Sequence, residues 1–399
     1  MRISTQGFFQ TGLQGILQQQ SQLNKTQLQL STGRRINNPS DDPAGAARLQ
    51  GLERAVAQQE VFQNNITRAR QRLQLSEQSL GDTGSLIQRV RELTVQASND
   101  TLAADQRAMI ASEIRQRLEQ LVNIANSQDG SGEFLFAGTR STDQPFLRVG
   151  GQVSYQGDSR PREITVAEGA TLTESLTGDT VFMRVRDGNG VVRAEPAAGN
   201  TGSGVIRLGG QVDMALYDGD TYRIQFNGPE PDDYEVLDSD DNVVASGTYQ
   251  ADQTISFAGI ELSLRGTPAI GDEFTVEPAR NQPIFQTLQS LADALGGPQS
   301  TESQQAVKRQ AINDALGQFD RFENQLLTLR AELGGRLVTL DDVEDRQGEL
   351  KLSLQTLASE VRDLDYVEAI SRFQLEQTAL QAAQQSFLRV QQLSLFNFL

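Results

Sequence analysis

An unbroken repeat between residues 52 and 97 constrains the fold more than any other feature of this sequence. Its positions lie alternately three and four residues apart and carry mainly aliphatic, small or hydroxyl side chains: Leu52, Ala55, Gln59, Phe62, Ile66, Ala69, Leu73, Ser76, Leu80, Thr83, Ile87, Val90, Thr94 and Ala97. Such spacing keeps one stripe of a helix against its neighbours. The repeat predicts one helix over about 43–98, on the order of 84 Å long. A bundle or a fibre needs a helix of that length, whereas a compact domain does not.

Composition divides the 399 residues into three zones. Residues 1–140 and about 281–399 are rich in Gln, Leu, Ala, Arg and Glu, which favour helix. Residues 141–280 concentrate Gly, Pro, Asp, Thr and Val in short alternating runs, which favour strands. This middle zone has 10 Arg against 23 Asp and Glu, so it holds most of the net charge of −17. We therefore predict an α+β fold, in which both termini form a long antiparallel helical bundle or coiled coil and a β-rich domain is inserted centrally.

Shorter patterns predict individual elements. A helix is expected over about 103–126. In the middle zone, Asp218-Gly219-Asp220 has the composition of a tight turn, which predicts a hairpin between strands 212–217 and 221–226. The segment Gly219–Ile224 is also similar to Gly271–Val276, which predicts two similar turn-to-strand corners in one β domain.

The two ends of the chain carry matching heptad stripes. The N-terminal stripe is Phe9, Leu13, Ile16, Gln20, Leu23, Gln27 and Leu30, and the C-terminal stripe is Tyr366, Ile370, Phe373, Gln377, Leu380, Gln384 and Phe387. We expect the two helices to pair through these stripes, with glutamines in the seam and the apolar members forming an assembly interface. Buried amides weaken a two-helix pair, so the pair should need neighbouring subunits. Ordinary amphipathic helices on a globular core remain the alternative.

Composition excludes several classes of chemistry. The chain has no Cys and no His, so it has no thiol nucleophile, no His-based triad and no His or Cys metal site. Asp238-x-Asp240-x-Asn242 begins like a calcium loop, but Val243 stands where Gly is needed and Tyr249 where Glu is needed. We therefore expect no enzymatic activity, no catalytic residues, no metal and no cofactor.

Charge and hydropathy limit the partners. A surplus of acids argues against nucleic-acid binding. No run of roughly 18 apolar residues exists, so no membrane insertion is expected. The first nine residues lack a continuous apolar segment and a small-residue cleavage site, so we expect no cleaved signal peptide.

Two terminal motifs resemble those of the bacterial flagellin family. They are the segment 31–45, STGRRINNPSDDPAG, and Asp363-Leu364-Asp365-Tyr366 before a Gln-rich helix. The family-motif residues are Asn37, Asp41, Asp42 and Pro43. Asp41-Asp42-Pro43 is typical of the start of a helix. The same residues are also candidates for contact with an adjacent subunit. Two further segments resemble the hook–filament junction members of the family rather than filament flagellin: residues 133–146, from the EFLFAGTR run to Gln144-Pro145-Phe146, and the closing 393–399, LSLFNFL.

The resemblance implies a structural, axial protein of the bacterial flagellum, extracellular at the hook–filament junction. Its partners would be the first hook-associated protein, filament flagellin and identical subunits in a ring. Export would proceed through the flagellar type III apparatus with a cytoplasmic chaperone, and Leu395, Phe396 and Phe398 are the expected chaperone or subunit contacts. Three domains are expected: a terminal helical pair (1–35 with 365–399), a helical rod (36–140 with 281–364) and an outer β domain (141–280). Filament flagellin and a type III secreted coiled-coil translocator are the alternatives.

Overall fold

A computed structural model of the protein describes residues 5–227 and 233–396. The chain forms two compact units. One contains the residues up to Asn65 together with those from Asp342 onward, and the other contains Ile66–Asp341.

Besides a short π-helix at Asp179–Met183, the described residues form six α-helices. Their bounds are α1 Thr5–Thr32, α2 Pro43–Ala97, α3 Ala104–Ala125, α4 Ile284–Gly296, α5 Glu302–Arg362 and α6 Tyr366–Phe396. The helices predicted over 43–98 and 103–126 are thereby confirmed. Helices α2 and α5 contribute residues to both units.

The repeat along α2 is the buried stripe of that helix. Every member from Gln59 to Ala97 is buried. Its hydroxyl members are accommodated because each bonds within the helix: Ser76, Thr83 and Thr94 donate to the carbonyl oxygen four residues earlier, at 2.9, 2.8 and 2.7 Å. Satisfied in this way, a hydroxyl can be buried without the cost of an unpaired polar group.

The middle of the chain forms antiparallel strands. They are β1 Phe146–Val149, β2 Gln152–Tyr155, β3 Glu163–Ala167, β4 Ala170–Thr173, β5 Val185–Arg186, β6 Val192–Pro196, β7 Val205–Val212, β8 Tyr222–Gln225, β9 Asp233–Leu237, β10 Val243–Thr248, β11 Thr254–Phe257, β12 Ile260–Arg265, β13 Glu273–Pro278 and β14 Asn281–Gln282. A five-stranded sheet has the order β10-β9-β8-β13-β6, and a three-stranded sheet has the order β11-β12-β7. The strands β1 and β2, β3 and β4, and β5 and β14 form separate pairs. The α+β fold class is thus confirmed.

Two apolar clusters stabilise the larger unit. One is the core of the two main sheets, formed chiefly by Val192, Ile206, Tyr222, Ile224, Phe226, Val236, Ile260, Leu262, Leu264, Phe274 and Val276. The other is aromatic: Phe182 lies 5.4 Å from both Phe136 and Phe146 in edge-to-face geometry, and 5.7 Å from Phe285. Such pairs add about 0.5–1.5 kcal/mol each beyond the area that they bury.

The hairpin predicted around Asp218-Gly219-Asp220 is wrong. β7 ends at Val212 and pairs with β12, whereas β8 pairs with β9 and β13, so the two strands belong to different sheets. The segment after β7 turns back because the Asp213 carbonyl accepts the N–H groups of Leu216 and Tyr217, both at 3.0 Å. A local turn therefore replaces the expected strand over 213–217.

The two similar corners are confirmed. β8 and β13 lie side by side, and each follows a Gly-Asp corner. Asp272, which is buried, accepts the N–H groups of Thr201 and Ala269 at 2.8 and 2.9 Å. At the other corner, Asp220 accepts from the N–H of Thr221 and the hydroxyl of Ser239.

Candidate assembly surface

The connector between α1 and α2 is hydrogen-bonded to the connector between α5 and α6. The N–H of Arg35 donates to the Arg362 carbonyl at 2.8 Å, and the N–H of Leu364 donates to the Gly33 carbonyl at 3.0 Å. Gly33 has a φ of +69°, and a Cβ built there would lie 2.8 Å from the hydroxyl of Tyr366. Only glycine fits this backbone conformation and this close approach without strain.

The Asp-Asp-Pro motif starts α2, so the interpretation as a helix start is confirmed. Asp42 caps the helix because its Oδ1 accepts the N–H of Gly45 at 2.9 Å, and Pro43 is the first helical residue. Asp41 faces the connector, where its Oδ2 accepts the N–H groups of Asn38 at 2.9 Å and Asn37 at 3.2 Å.

Electrostatics keep both carboxylates ionised. The Asn38 N–H, the ion pair with Lys25 at 3.1 Å and the Asn37 N–H together lower the pKa of Asp41. The Gly45 N–H, followed by Arg35 at 3.2 Å, lowers the pKa of Asp42.

Sequence reasoning missed three side chains that hold the connector. Arg35 reaches α5, where its Nε and Nη2 donate to the Val361 carbonyl at 3.2 and 2.9 Å. Gln29, which is buried, donates to the Arg35 carbonyl at 2.6 Å, and Ile36 is also buried. Ile36 lies inside the segment 31–45, but a single sequence gives no signal that distinguishes a buried isoleucine in a loop from an exposed one.

Helices α1 and α6, here called the terminal pair, pack along most of their length through positions spaced three and four residues apart. The less exposed positions are Gly12, Ile16, Gln19, Leu23, Thr26 and Leu30 on α1, and Ala369, Phe373, Glu376, Leu380, Ala383 and Phe387 on α6. Six members of the predicted stripes belong to this seam: Ile16, Leu23, Leu30, Phe373, Leu380 and Phe387. The placement of four glutamines in the seam is wrong, because Gln20, Gln27, Gln377 and Gln384 are exposed; Gln19 takes a seam position instead of Gln20.

Close approach explains which face of each helix is used. The Phe387 ring lies 3.0 Å from where a Cβ of Gly12 would be. Phe9 also packs on Phe387, with ring centroids 4.8 Å apart, although 43% of Phe9 stays exposed. Gly12 lets Phe387 approach α1 closely and Ala369 is almost fully buried, so the seam combines small residues with larger apolar ones.

The remaining predicted interface residues are exposed on the terminal pair. Leu13, Tyr366 and Ile370 are exposed by 43%, 52% and 48%. Leu17 and Leu28 on α1 and Val367, Leu375 and Leu388 on α6, which the sequence interpretation omitted, are exposed as well. Leu395 and Phe396 are the penultimate and last residues of α6, and Phe398 lies outside the described residues.

Neither a metal site nor a membrane-spanning helix has a candidate among the described residues. No group of three or more Asp and Glu side chains among them is arranged to hold a metal ion. None of the helices in the described part of the chain has an apolar stretch long enough to cross a lipid bilayer. What the site presents is a set of exposed apolar side chains on paired helices whose connectors are hydrogen-bonded to each other.

Comparison with known proteins matches this architecture. Residues 3–141 match the family model for the bacterial flagellin N-terminal helical region, and residues 197–278 match that for the D2-like domain of flagellar hook-associated protein 1. Flagellar hook-associated protein 3 of Escherichia coli is 28% identical over 398 residues, which is 99% of each chain.

Solved structures agree with the sequence matches. The crystal structure of FlgL from Xanthomonas campestris is 32% identical, with a TM-score of 0.72, and the match covers 77% of this chain and 99% of that one. Flagellar hook-associated protein 3 of Legionella pneumophila is 30% identical, with a TM-score of 0.71, over 77% of this chain and 97% of that one. The chain therefore belongs to the flagellar hook-associated protein 3 family, within the bacterial flagellin family.

Proposed function

We propose that this protein is the mechanical adaptor of the hook–filament junction. Identical subunits form a ring between the first hook-associated protein and filament flagellin, which polymerises on that ring. In this proposal the terminal helical pair (1–35 with 365–399) is the assembly core, and the helical rod (36–140 with 281–364) and the outer β domain (141–280) are the other two domains.

One observation carries the proposal: besides the apolar residues of its seam, the terminal pair has further large apolar side chains, and these are exposed. Ala369 and Thr26 are buried in the pair, whereas Leu13, Leu17 and Ile370 are exposed by 43% or more. Contiguous exposed apolar residues of this kind mark interaction surfaces. Neighbouring subunits supply the apolar surface that covers these side chains, so assembly stabilises the terminal pair.

The family motif has two roles in this proposal. Asp41 and Asp42 hold the connector, as their hydrogen bonds indicate. Pro43 is also exposed, and Asp41 and Asp42 are partly exposed; an adjacent subunit contacts this surface.

Export precedes assembly. The chain passes unfolded through the flagellar type III apparatus, and the absence of Cys suits this route because no disulfide can form first. A cytoplasmic chaperone holds the C-terminal helix, with Leu395, Phe396 and Phe398 as contacts.

Localisation tests the junction role against its alternatives. An epitope inserted in the exposed β9–β10 turn at Ser239 should appear as a single band where the hook meets the filament on detached flagella. Label along the whole filament would identify a flagellin instead. Label absent from flagella but present on host membranes would identify a translocator. Deletion of the gene should leave hooks intact while flagellin is secreted unpolymerised.

Limited proteolysis tests the coupling of stability to assembly. Protease should trim purified monomer within the first 40 and the last 40 residues and leave a stable middle fragment, because the terminal pair buries little apolar surface. Termini that resist protease in dilute monomer would contradict this account.

A further inference from the structure

Two glycines lie inside the long helices of the larger unit although neither the backbone nor the packing requires them. They are Gly81 in α2 and Gly335 in α5. Neither has a positive φ, and a Cβ built at either position would meet no other atom of the described chain within 4 Å. Alanine would therefore fit at both positions and would stabilise the helix more than glycine does. The two glycines keep these helical turns weaker than the fold requires.

A hydroxyl group bonds to the carbonyl of each glycine. The Ser85 hydroxyl donates to the Gly81 carbonyl at 3.1 Å, and the Thr339 hydroxyl donates to the Gly335 carbonyl at 3.0 Å. A hydroxyl that bonds to the carbonyl four residues earlier shares it with the backbone N–H and often bends the helix. Sharp bends in helices concentrate where glycine and serine occur together or where a side chain enters the backbone hydrogen bonds. We call residues 81–85 and 335–339 the glycine sites.

Within α2 and α5 this combination occurs only at the glycine sites. The two helices contain six further glycines, and none of them is followed four residues later by Ser or Thr: Gly45, Gly51, Gly84, Gly317, Gly334 and Gly348. Two of the six, Gly84 and Gly334, lie within three residues of Gly81 or Gly335 and weaken the same turns further.

The glycine sites lie at different levels of two antiparallel helices. Ion pairs link Arg70 of α2 to Asp341 of α5 at 2.7 Å, and Glu77 to Arg330 at 2.6 Å. The glycine of one site comes four residues after Glu77, and that of the other comes five residues after Arg330, which is the opposite direction. About 14 Å therefore separates the two glycines along the helices. Each weak turn lies beside a stretch of the other helix that has no glycine.

The core side of both sites is packed. Leu80, next to Gly81, and Leu333, two residues before Gly335, are fully buried, whereas Gly335 is exposed and Gly81 is partly exposed. Long helices curve because the carbonyls on their solvent side tilt toward water. Bending at these sites can therefore lengthen hydrogen bonds on the solvent side while the apolar core stays closed.

We propose that the glycine sites are two flexure points at which α2 and α5 bend together when the subunit is under load. Glycine turns yield before other helical turns because their backbone is the freest. The buried stripe and the Glu77–Arg330 ion pair hold the two helices together while they bend. This inference rests on the proposed function, because the load arises where a bending hook meets a stiffer filament.

Hydrogen exchange on the isolated full-length protein tests whether the glycine sites are weak. In the parent, amides of residues 79–86 and 334–341 should be less protected than those of 88–95 and 320–327 in the same helices. Gly81→Ala combined with Gly335→Ala should raise protection at both sites about fivefold, which is the difference in helix propensity between the two residue types.

Gly51→Ala combined with Gly348→Ala is the matched control. It makes the same change in the same two helices, at positions where a Cβ also meets open space but no hydroxyl follows four residues later. Protection at the glycine sites should stay at the parent level in this control.

Swimming tests whether bending at the glycine sites serves the junction. Because alanine fits at both sites, Gly81→Ala with Gly335→Ala should enter flagella at the parent level, as measured by immunoblots of detached flagella. Cells carrying it should nevertheless swim more slowly than cells with the control variant. Ser85→Ala with Thr339→Ala removes both hydroxyl bonds and keeps the glycines, so it should also slow swimming, to a smaller extent.

Four outcomes would overturn the inference. Three are equal protection of the glycine sites and the comparison stretches in the parent, parent-level swimming of the alanine variant after normal incorporation, and equal slowing by the control. The fourth is loss of incorporation, which would identify the glycines as contacts of a neighbouring molecule. The junction role fails by a different result, absence of the parent protein from the boundary between hook and filament.

Discussion

Ile370→Asp should separate folding of the subunit from its assembly. Ile370 lies on α6 outside the seam with α1 and is 48% exposed, so the substitution removes little from the isolated protein. Surface changes of this kind usually alter the free energy of unfolding by no more than about 0.5 kcal/mol. In the proposed ring the exposed half of Ile370 becomes buried. That half is roughly 90 Å², which at about 25 cal/mol per Å² contributes about 2 kcal/mol to each subunit contact.

The substitution also places a carboxylate in the contact, which adds a desolvation cost. A loss of 2 kcal/mol corresponds to roughly thirtyfold weaker association at every contact. We therefore expect the variant to be secreted into the medium at the level of the parent protein and to be missing from detached flagella. Cells should be non-motile, and immunoblots of medium and flagella measure both fractions.

Ser371→Asp is the matched control. It adds the same charge in the same helical turn, at an exposed position that carries no apolar surface. This control should assemble. Normal motility and normal incorporation of Ile370→Asp would refute the reasoning, and equal loss with Ser371→Asp would show that charge rather than apolar burial is responsible.

Three further predictions concern particular interactions. Arg72→Met leaves Asp129 without its cation at a site where the Arg72 side chain is 5% exposed, while Glu133 keeps its pair with Arg162. It should lower the free energy of urea unfolding by about 3–5 kcal/mol, against about 0–1 kcal/mol for the exposed pair lost in Arg330→Met. Gly33→Ala should lower the free energy of unfolding by about 1–2 kcal/mol because of the positive φ at this position, and by a further amount because its Cβ would lie 2.8 Å from the Tyr366 hydroxyl. Adding Tyr366→Phe to the same chain should recover only this further amount, as measured by thermal unfolding. Closely surrounding protein atoms, together with repulsion from Glu195 and Asp187, raise the pKa of Asp314 to about 7, so the folded state binds this proton more tightly than the unfolded state does. The stability that the bound proton contributes at low pH is lost as the pH rises from about 4 to 7. The Tm of Asp314→Asn should therefore rise relative to that of the parent across this interval, and a constant difference in Tm would refute this.

Local patterns were sufficient to predict the long helices. The repeat over 52–97 predicted α2 because helix periodicity and burial of one stripe are properties of neighbouring residues. The Asp-Asp-Pro helix start and the two Gly-Asp corners were likewise confirmed, since capping and turn formation depend on groups a few residues apart. The hairpin expected over 212–226 was wrong because a turn signal does not determine which strands pair. β7 takes β12, about fifty residues away, as its partner.

The amino-acid sequence alone determined the helix lengths, the division into helical ends and a β middle, and the family. It also predicted that the two ends pair, because both carry apolar residues at heptad spacing. Tertiary structure decided which stripe of α1 faces α6 and which stripe of α6 faces α1. Each helix carries two overlapping stripes, and close packing at Gly12 and Ala369 favours the stripe to which these small residues belong. Contacts between distant segments also created features that no periodicity shows, namely the connector held by Arg35 and the cleft between the strands β6 and β7 and the helices α4 and α5.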